Sequence, residues 1–333
     1  MHAPQGVEKV PRLLSSYRML LKNGSKYCTL SDVTCTSEPK ISKFHYSRRE
    51  FKLVRPAHCT PLRDFPRDRI PMPSYVENPT VGKQEELELK NEKQIKKMRN
   101  VCQLARKILD ATAEQIKVGV TTDELDKFAH EMCIEHKCYP SPLFYNLYYK
   151  SICTSVNNVM VHGIPDVRPL YSGDIINIDV TIFLDGYHGD LSETYLVGNV
   201  DGDGKHLVDV ARQCQYAGIS VCGPGQPMSV IGDAISMVAE SEGLSVVPDI
   251  LGHGIGTYFH GPPDVIHVAH EPEEEVLMQP GMTFTIEPLV CEGSTEYTVL
   301  KDGWTCVSND GGRSAQFENT ILITDDGAEV LTS

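Results

Sequence analysis

The sequence predicts an α+β protein made of two related halves, each a pair of helices followed by antiparallel strands. Three observations predict it. A hairpin rich in β-branched residues fills 172–194, SGDIINIDVTIFLDGYHGDLSET. Two pairs of amphipathic helices lie on either side of it in the chain. The downstream stretch echoes the upstream one at an offset of about a hundred residues.

Composition sets the outer bounds. The 333 residues are 41% hydrophobic and 23% charged, ordinary for a soluble protein of one large or two modest domains. No run approaches the ~18 apolar residues of a membrane span. The net charge of −14 is unevenly spread, since residues 1–72 carry 14 Lys/Arg against 6 Asp/Glu and the remainder 17 against 39. The acidic body argues against broad electrostatic binding to nucleic acid. Eleven cysteines, with no CxxC pair, argue against a disulfide scaffold or a zinc-finger array, and the thiols read as reduced.

The chain then divides. Residues 1–30 hold Lys9, Arg12, Arg18, Lys22 and Lys26 against one acid, Glu8, with Leu13, Leu14, Tyr17, Leu20 and Leu21 at helical spacing. That basic, acid-poor, amphipathic composition is that of a mitochondrial transit peptide, which places the protein in the matrix; a cytoplasmic location is the alternative. Residues 31–78 form a basic, Pro-rich extension. Its prolines 56, 61, 66, 71 and 73 imply extended chain, either a linker or an arm laid over the domain, and the folded body is expected from about Ser74. Residues 79–333 form the remaining, main domain.

Within that domain, Ile95, Met98, Val101, Cys102, Ala105, Ile108, Leu109 and Ile116 mark one face of a helix that ends near Gly119. A second starts at Thr121-Thr122-Asp123-Glu124 and buries Leu125, Phe128, Ala129 and Met132. A shift of 106 turns Ala105-Arg106 into Ala211-Arg212 and Gly119 into Gly225, so helices over about 205–222 and 228–243 repeat the first pair. GDIINID at 173–179 matches GMTFTIE at 281–287, and GDLSETYLV echoes FENTILI.

The hairpin turns at Asp185-Gly186. Thr181 then faces Asp190, and Asp179 lies diagonal to Asp190, roughly 7–8 Å away at Cα. From the hairpin alone these carboxylates equally suit turn caps. The repeat adds Glu287 and Glu318, with His253 and His260 between. Halves related by a pseudo-twofold would converge four carboxylates, and four anions need about four positive charges. Two divalent cations supply them, and an imidazole completes a set suited to Mn, Fe, Co or Zn rather than Ca. Such cations, about 3.5–4 Å apart, bridge and acidify a water for hydrolysis of a carbonyl or phosphoryl bond.

CTSVNNVMVHGIP, NIDVTIFLDGYHGDLSET, GHGIGTYFHGPP, FTIEP and DGWTCVSNDGGRSAQFENT resemble, in order, the motifs of type I methionine aminopeptidases. YPSPL, Asn157-Asn158 and the basic leader look most like the mitochondrial form. The resemblance implies the pita-bread fold around a dinuclear metal site. It implies Asp179, Asp190, His253, Glu287 and Glu318 as ligands of two Co, Mn, Fe or Zn ions, Asp190 and Glu318 bridging, and Glu287 as proton acceptor. His162 and His260 would contact the scissile amide. Tyr145, Tyr148, Cys153, Phe259 and Trp304 would form the methionine pocket, with Pro142 and Gln316 nearby.

The implied activity is removal of the initiator methionine when the second residue is small (Gly, Ala, Ser, Thr, Cys, Pro or Val), by attack of a metal-bridged hydroxide. Nascent polypeptide N-termini are the implied partners, with transient ribosome association, no nucleic acid, no membrane and a monomeric state. An Xaa-Pro peptidase of the same fold and an inactive pita-bread binding protein are the alternatives. Three positions depart from the family pattern: Asn319 stands where His is usual, Val161 where Cys is common and Tyr149 where Pro is usual. The first is expected to point away from the metals, and the last to loosen the pocket wall. His188 and His267 are expected to lie outside the site.

Overall fold

The structure, a computed structural model, describes residues 51–78 and 86–333. The expected transit segment lies outside the described residues. Each predicted helix forms, with start signals that are local and chemical. Helix α1 (Glu92–Ala113) opens on a capping box, in which Asn91 accepts from the N–H groups of Lys93 and Gln94 while Gln94 reaches back to Asn91. Helix α2 (Thr122–Glu135) opens on the same device between Thr121 and Glu124. Helix α1 stops at Ala113, short of the expected Gly119, which instead takes a φ of +95° in the connection. The second pair, α3 (Gly202–Ser220) and α4 (Ser229–Ser241), lies where the repeat predicts it.

Among the described residues, nine strands make one antiparallel sheet. In chain order they are β1 (Tyr139–Pro140), β2 (Cys153–Val156), β3 (Ile175–Leu184), β4 (Tyr187–Leu196), β5 (Gly252–Gly254), β6 (Gly261–Val265), β7 (Thr283–Ile286), β8 (Glu318–Ile323) and β9 (Ala328–Val330). They run in the order β1-β3-β4-β8-β7-β5-β6, with β2 on β3 and β9 on β8. The β3–β4 register pairs Leu184 with Tyr187 and Thr181 with Asp190, as the two-residue turn requires. Strand β8 joins the halves, pairing with β4 on one side and β7 on the other.

The two faces of this sheet differ completely. Toward the helices, Ile176, Ile178, Val180 and Ile182 of β3 and Leu191 of β4 pack with α1 and α2 in one core. Phe284 and Ile286 of β7 and Ile321 and Ile323 of β8 pack with α3 and α4 in a second. Each such side chain contributes about 1.5–3 kcal/mol by leaving water. The alternate residues Asp179, Asp190, Glu287 and Glu318 are thereby directed to the opposite face. Helix α1 lies so close to β4 that a Cβ at Gly189 would sit 3.0 Å from the backbone nitrogen of Cys102.

The Pro-rich segment is an arm rather than a linker, and the packed body starts upstream of Ser74. Phe65 and Ile70 are buried in a cluster with Tyr139 and Leu143. Arg63 pairs with Asp123 at 2.7 Å and Asp126 at 3.2 Å, and the fully buried Lys150 ammonium bonds Asp123 at 2.6 Å and Thr60 of the arm at 2.7 Å. Asn158 accepts from the N–H of Val54 at 2.7 Å. The expectation of a body beginning at Ser74 fails because prolines signal extended chain whether or not it is docked.

Candidate metal centre and substrate pocket

The central strands set out the polar face. Asp179 on β3 stands directly across from Cys153 on β2 and Ser192 on β4. Asp190, three-hundredths exposed, accepts from Thr181 Oγ1 at 2.6 Å, and its backbone is tied in both directions to Thr320 Oγ1 at 2.8 and 3.2 Å. The carboxyls of Glu287 and Glu318 are close enough to shift one another's protonation. Oxygens of Asp190 and Glu318 and a nitrogen of His253 lie within 4.8 Å of one another. The second half thus brings its carboxyls to the hairpin of the first, as the repeat implies.

His253 is held as a ligand should be. Its Nδ1 lies 3.2 Å from the carbonyl of Gly254, which only accepts, so Nδ1 carries the proton. Its Nε2 then faces Asp190 and Glu287, each at 3.7 Å. Thr285 donates to Glu287 Oε1 at 2.8 Å, and Gln316 donates to the Glu287 carbonyl at 2.9 Å.

The electrostatics follow from this crowding. Burial raises Asp179 to about 7 and Glu287 to about 8, in the latter case with help from the Asp179 charge. Asp190 and Glu318 are pushed well above the usual carboxylate range by burial and then by neighbouring carboxylates. Among the described residues no Lys or Arg forms an ion pair with any of the four. Buried carboxyls that repel one another and meet one correctly turned imidazole fit divalent cations.

Beside them lie the pocket candidates. The Tyr145 hydroxyl is 2.9 Å from His260 Nδ1, and its ring packs on Phe259 with centroids 4.9 Å apart. Tyr148, Cys153 and Ile164 form a buried apolar cluster with Trp304 and Tyr149 against it. Trp304 meets Tyr148 edge-on at 5.2 Å and His162 at 5.7 Å. Burial lowers His162 to about 4, so its ring is neutral near pH 7. The rings of His253 and His260 are 4.2 Å apart, which joins the pocket to the carboxyl cluster. Pro142 caps the Tyr145 turn through its carbonyl.

His188 and His267, read from the sequence as ordinary and outside the site, both lie against its candidate residues. His267 Nε2 accepts from the backbone N–H of Glu287 at 3.1 Å, while its Nδ1 faces the Ile250 carbonyl. His188, two residues before Asp190, stacks on Phe259 with rings 5.5 Å apart and inclined by 9°. A histidine in sequence looks the same whether it fills a core or braces a site; only the alternation along β4, which puts residue 188 on the face of residue 190, signals the difference. Asn319 points away from the carboxyls, as expected, and bonds Thr332 at 2.9 Å. Tyr149, the departure expected to loosen the wall, packs with Cys59 of the arm against the apolar cluster.

Comparison with known proteins agrees with this geometry. The model of Metallopeptidase family M24 matches residues 96–325. The chain belongs to this family of metallopeptidases, and the pita-bread fold expected for it is the fold found. Within the family it groups with the methionine aminopeptidases. It is 53% identical over 281 residues to methionine aminopeptidase 1D, mitochondrial, of Danio rerio, covering 84% of this chain and 82% of that one. It is 50% identical over 301 residues to the protein of the same name in Mus musculus, covering 89% and 88%. Among solved structures, methionine aminopeptidase from Rickettsia prowazekii superposes with a TM-score of 0.73 at 41% identity, over 74% of this chain and 100% of that one.

Proposed function

We propose that this metallopeptidase removes the initiator methionine from polypeptides whose second residue is small, using two divalent cations held by Asp179, Asp190, His253, Glu287 and Glu318. The observation that carries the proposal is the junction of two environments at one strand pair: Cys153, in the apolar cluster, is the register partner of Asp179, in the carboxyl cluster. A soft, flexible thioether suits the Tyr148–Cys153–Trp304 cluster and the Tyr145–Phe259 pair.

The cations, when bound, supply an acidified water and polarise the scissile carbonyl. The protein's own groups do the rest. Glu287, fixed by Thr285 and Gln316, accepts the proton at its carboxylate and returns it to the departing amine. His162 and His260 donate to the amide and to the oxygen that gains charge. The bond to Tyr145 holds the His260 ring in its plane. The leader composition and the relatives named mitochondrial support action in the mitochondrial matrix, on newly made chains.

The test is release of free methionine from Met-Ala-Ser by metal-stripped full-length protein, with and without Mn, Co, Fe or Zn, with Met-Lys-Ser alongside. Added metal should restore release from Met-Ala-Ser and not from Met-Lys-Ser. Asp190→Asn should lower kcat/KM by at least about a hundredfold. Equal turnover of both peptides would refute the size rule, and cleavage confined to Xaa-Pro would refute methionine selectivity.

A further inference from the structure

We propose that Tyr75, carried by the N-terminal arm, is a positioning residue of the substrate pocket. The inference rests on the reading of that pocket given above. It starts from the wall itself. Phe144, Asn146 and Leu147 take φ values of 65°, 45° and 68°, three left-handed non-glycine residues in four positions. Each such residue costs about 1–3 kcal/mol and persists only where the surroundings hold it. Tyr145, whose hydroxyl meets His260, sits in the middle of this strained turn.

Much of what holds the turn comes from the arm. The Tyr75 ring abuts Tyr145 edge-on, with centroids 5.1 Å apart at 79°. The Tyr75 hydroxyl donates to the Ser141 carbonyl at 2.5 Å, just before the turn. Its ring also stacks over His188 at 6.2 Å, and His188 in turn stacks on Phe259. Ser141 Oγ, 2.8 Å from His188 Nδ1, locks the same stack from the side. Past the turn, Thr60 holds Lys150 and Cys59 packs beside Tyr149.

Tyr75 therefore bears on Tyr145 and Phe259 together, one directly and one through His188. It contacts neither the five candidate ligands nor His162 in the interactions described. Losing its ring would free Tyr145 to relax out of a costly conformation, taking the wall and the orientation of His260 with it. Small misplacements of such groups are expensive in rate.

Full-length wild type, Tyr75→Phe and Tyr75→Ala should be compared on Met-Ala-Ser and on its norleucine analogue, with metal uptake followed by calorimetric titration. Tyr75→Ala should raise KM for Met-Ala-Ser by about tenfold and change the preference between the two peptides, with metal uptake unchanged. Tyr75→Phe, which keeps the ring, should stay within about threefold of wild type. A Tyr75→Ala protein with unchanged KM and preference overturns the proposal. So does one that lowers kcat equally on both peptides while KM and preference stay at wild-type values, because that signals only a smaller active fraction. Should Tyr75→Ala not fold, Tyr75→Leu is read by the same criteria. Wild type that releases no methionine would instead reject the pocket reading itself.

Discussion

At the scale of the residue, the site depends on side chains that never face a substrate. His267 is buried, and its Nε2 takes the backbone N–H of Glu287. Replacing it by leucine leaves that donor without an acceptor, a loss of about 1–3 kcal/mol in stability. The displaced Glu287 should also weaken divalent-metal affinity by about 10–100-fold, measurable by titration with Mn. Unchanged affinity in His267→Leu would show that Thr285 and Gln316 alone fix the carboxylate. The four candidate carboxylates were legible in the sequence because they recur in two related settings, and His253 because it matches a family pattern. His267 was not, because nothing in its DVIHVA surroundings separates a bracing imidazole from a packed one. Tyr75 was hidden for a different reason: its partners Ser141, Tyr145 and His188 are 66 to 113 positions away.

At the scale of the element, the hairpin and the helix behind it form one unit. Gly189 is the point of closest approach, with Cys102 and Val101 backbone atoms 3.0–3.1 Å from where its Cβ would be. Gly189→Ala must push α1 off β4, and overpacking of this kind costs about 1–3 kcal/mol. Thermal melts of the metal-loaded protein should show the loss, and activity at room temperature should fall less than stability because Asp190 faces the other way. An unchanged melting temperature would mean that α1 slides without resistance. These elements were readable for local reasons: a two-residue Asp-Gly turn fixes register, and Thr121 with Glu124 fixes a helix start. The left-handed turn at 144–147 was not, since it contains no glycine to announce it. The arm was readable as extended chain and not as docked chain, because docking is decided by Phe65, Arg63 and Tyr75 meeting residues far along the sequence.

At the scale of the whole molecule, the carboxyl cluster sets a pH dependence. Asp179 and Glu287 sit near 7 and 8 in the fold and at ordinary carboxylate values when unfolded. Between about pH 4 and 8 the chelated folded protein therefore binds more protons than the unfolded chain, so its stability falls as pH rises across that window. Melts in EDTA at pH 5, 6.5 and 8 should show a declining transition temperature, and added Mn should flatten the decline. A transition that climbs with pH in EDTA would contradict the shared burial of these groups. The order of the sheet has a consequence of another kind. Strand β8 lies between β4 and β7 in space, yet follows both in the chain, and it brings Glu318 with it. A ribosome or an import channel delivers the chain from its N-terminus, so the two halves wait with facing edges open until the last segment arrives. A chain that stops before β8 therefore has an unsealed seam between β4 and β7 and lacks the Glu318 carboxyl of the candidate centre, so the last strand completes sheet and cluster together.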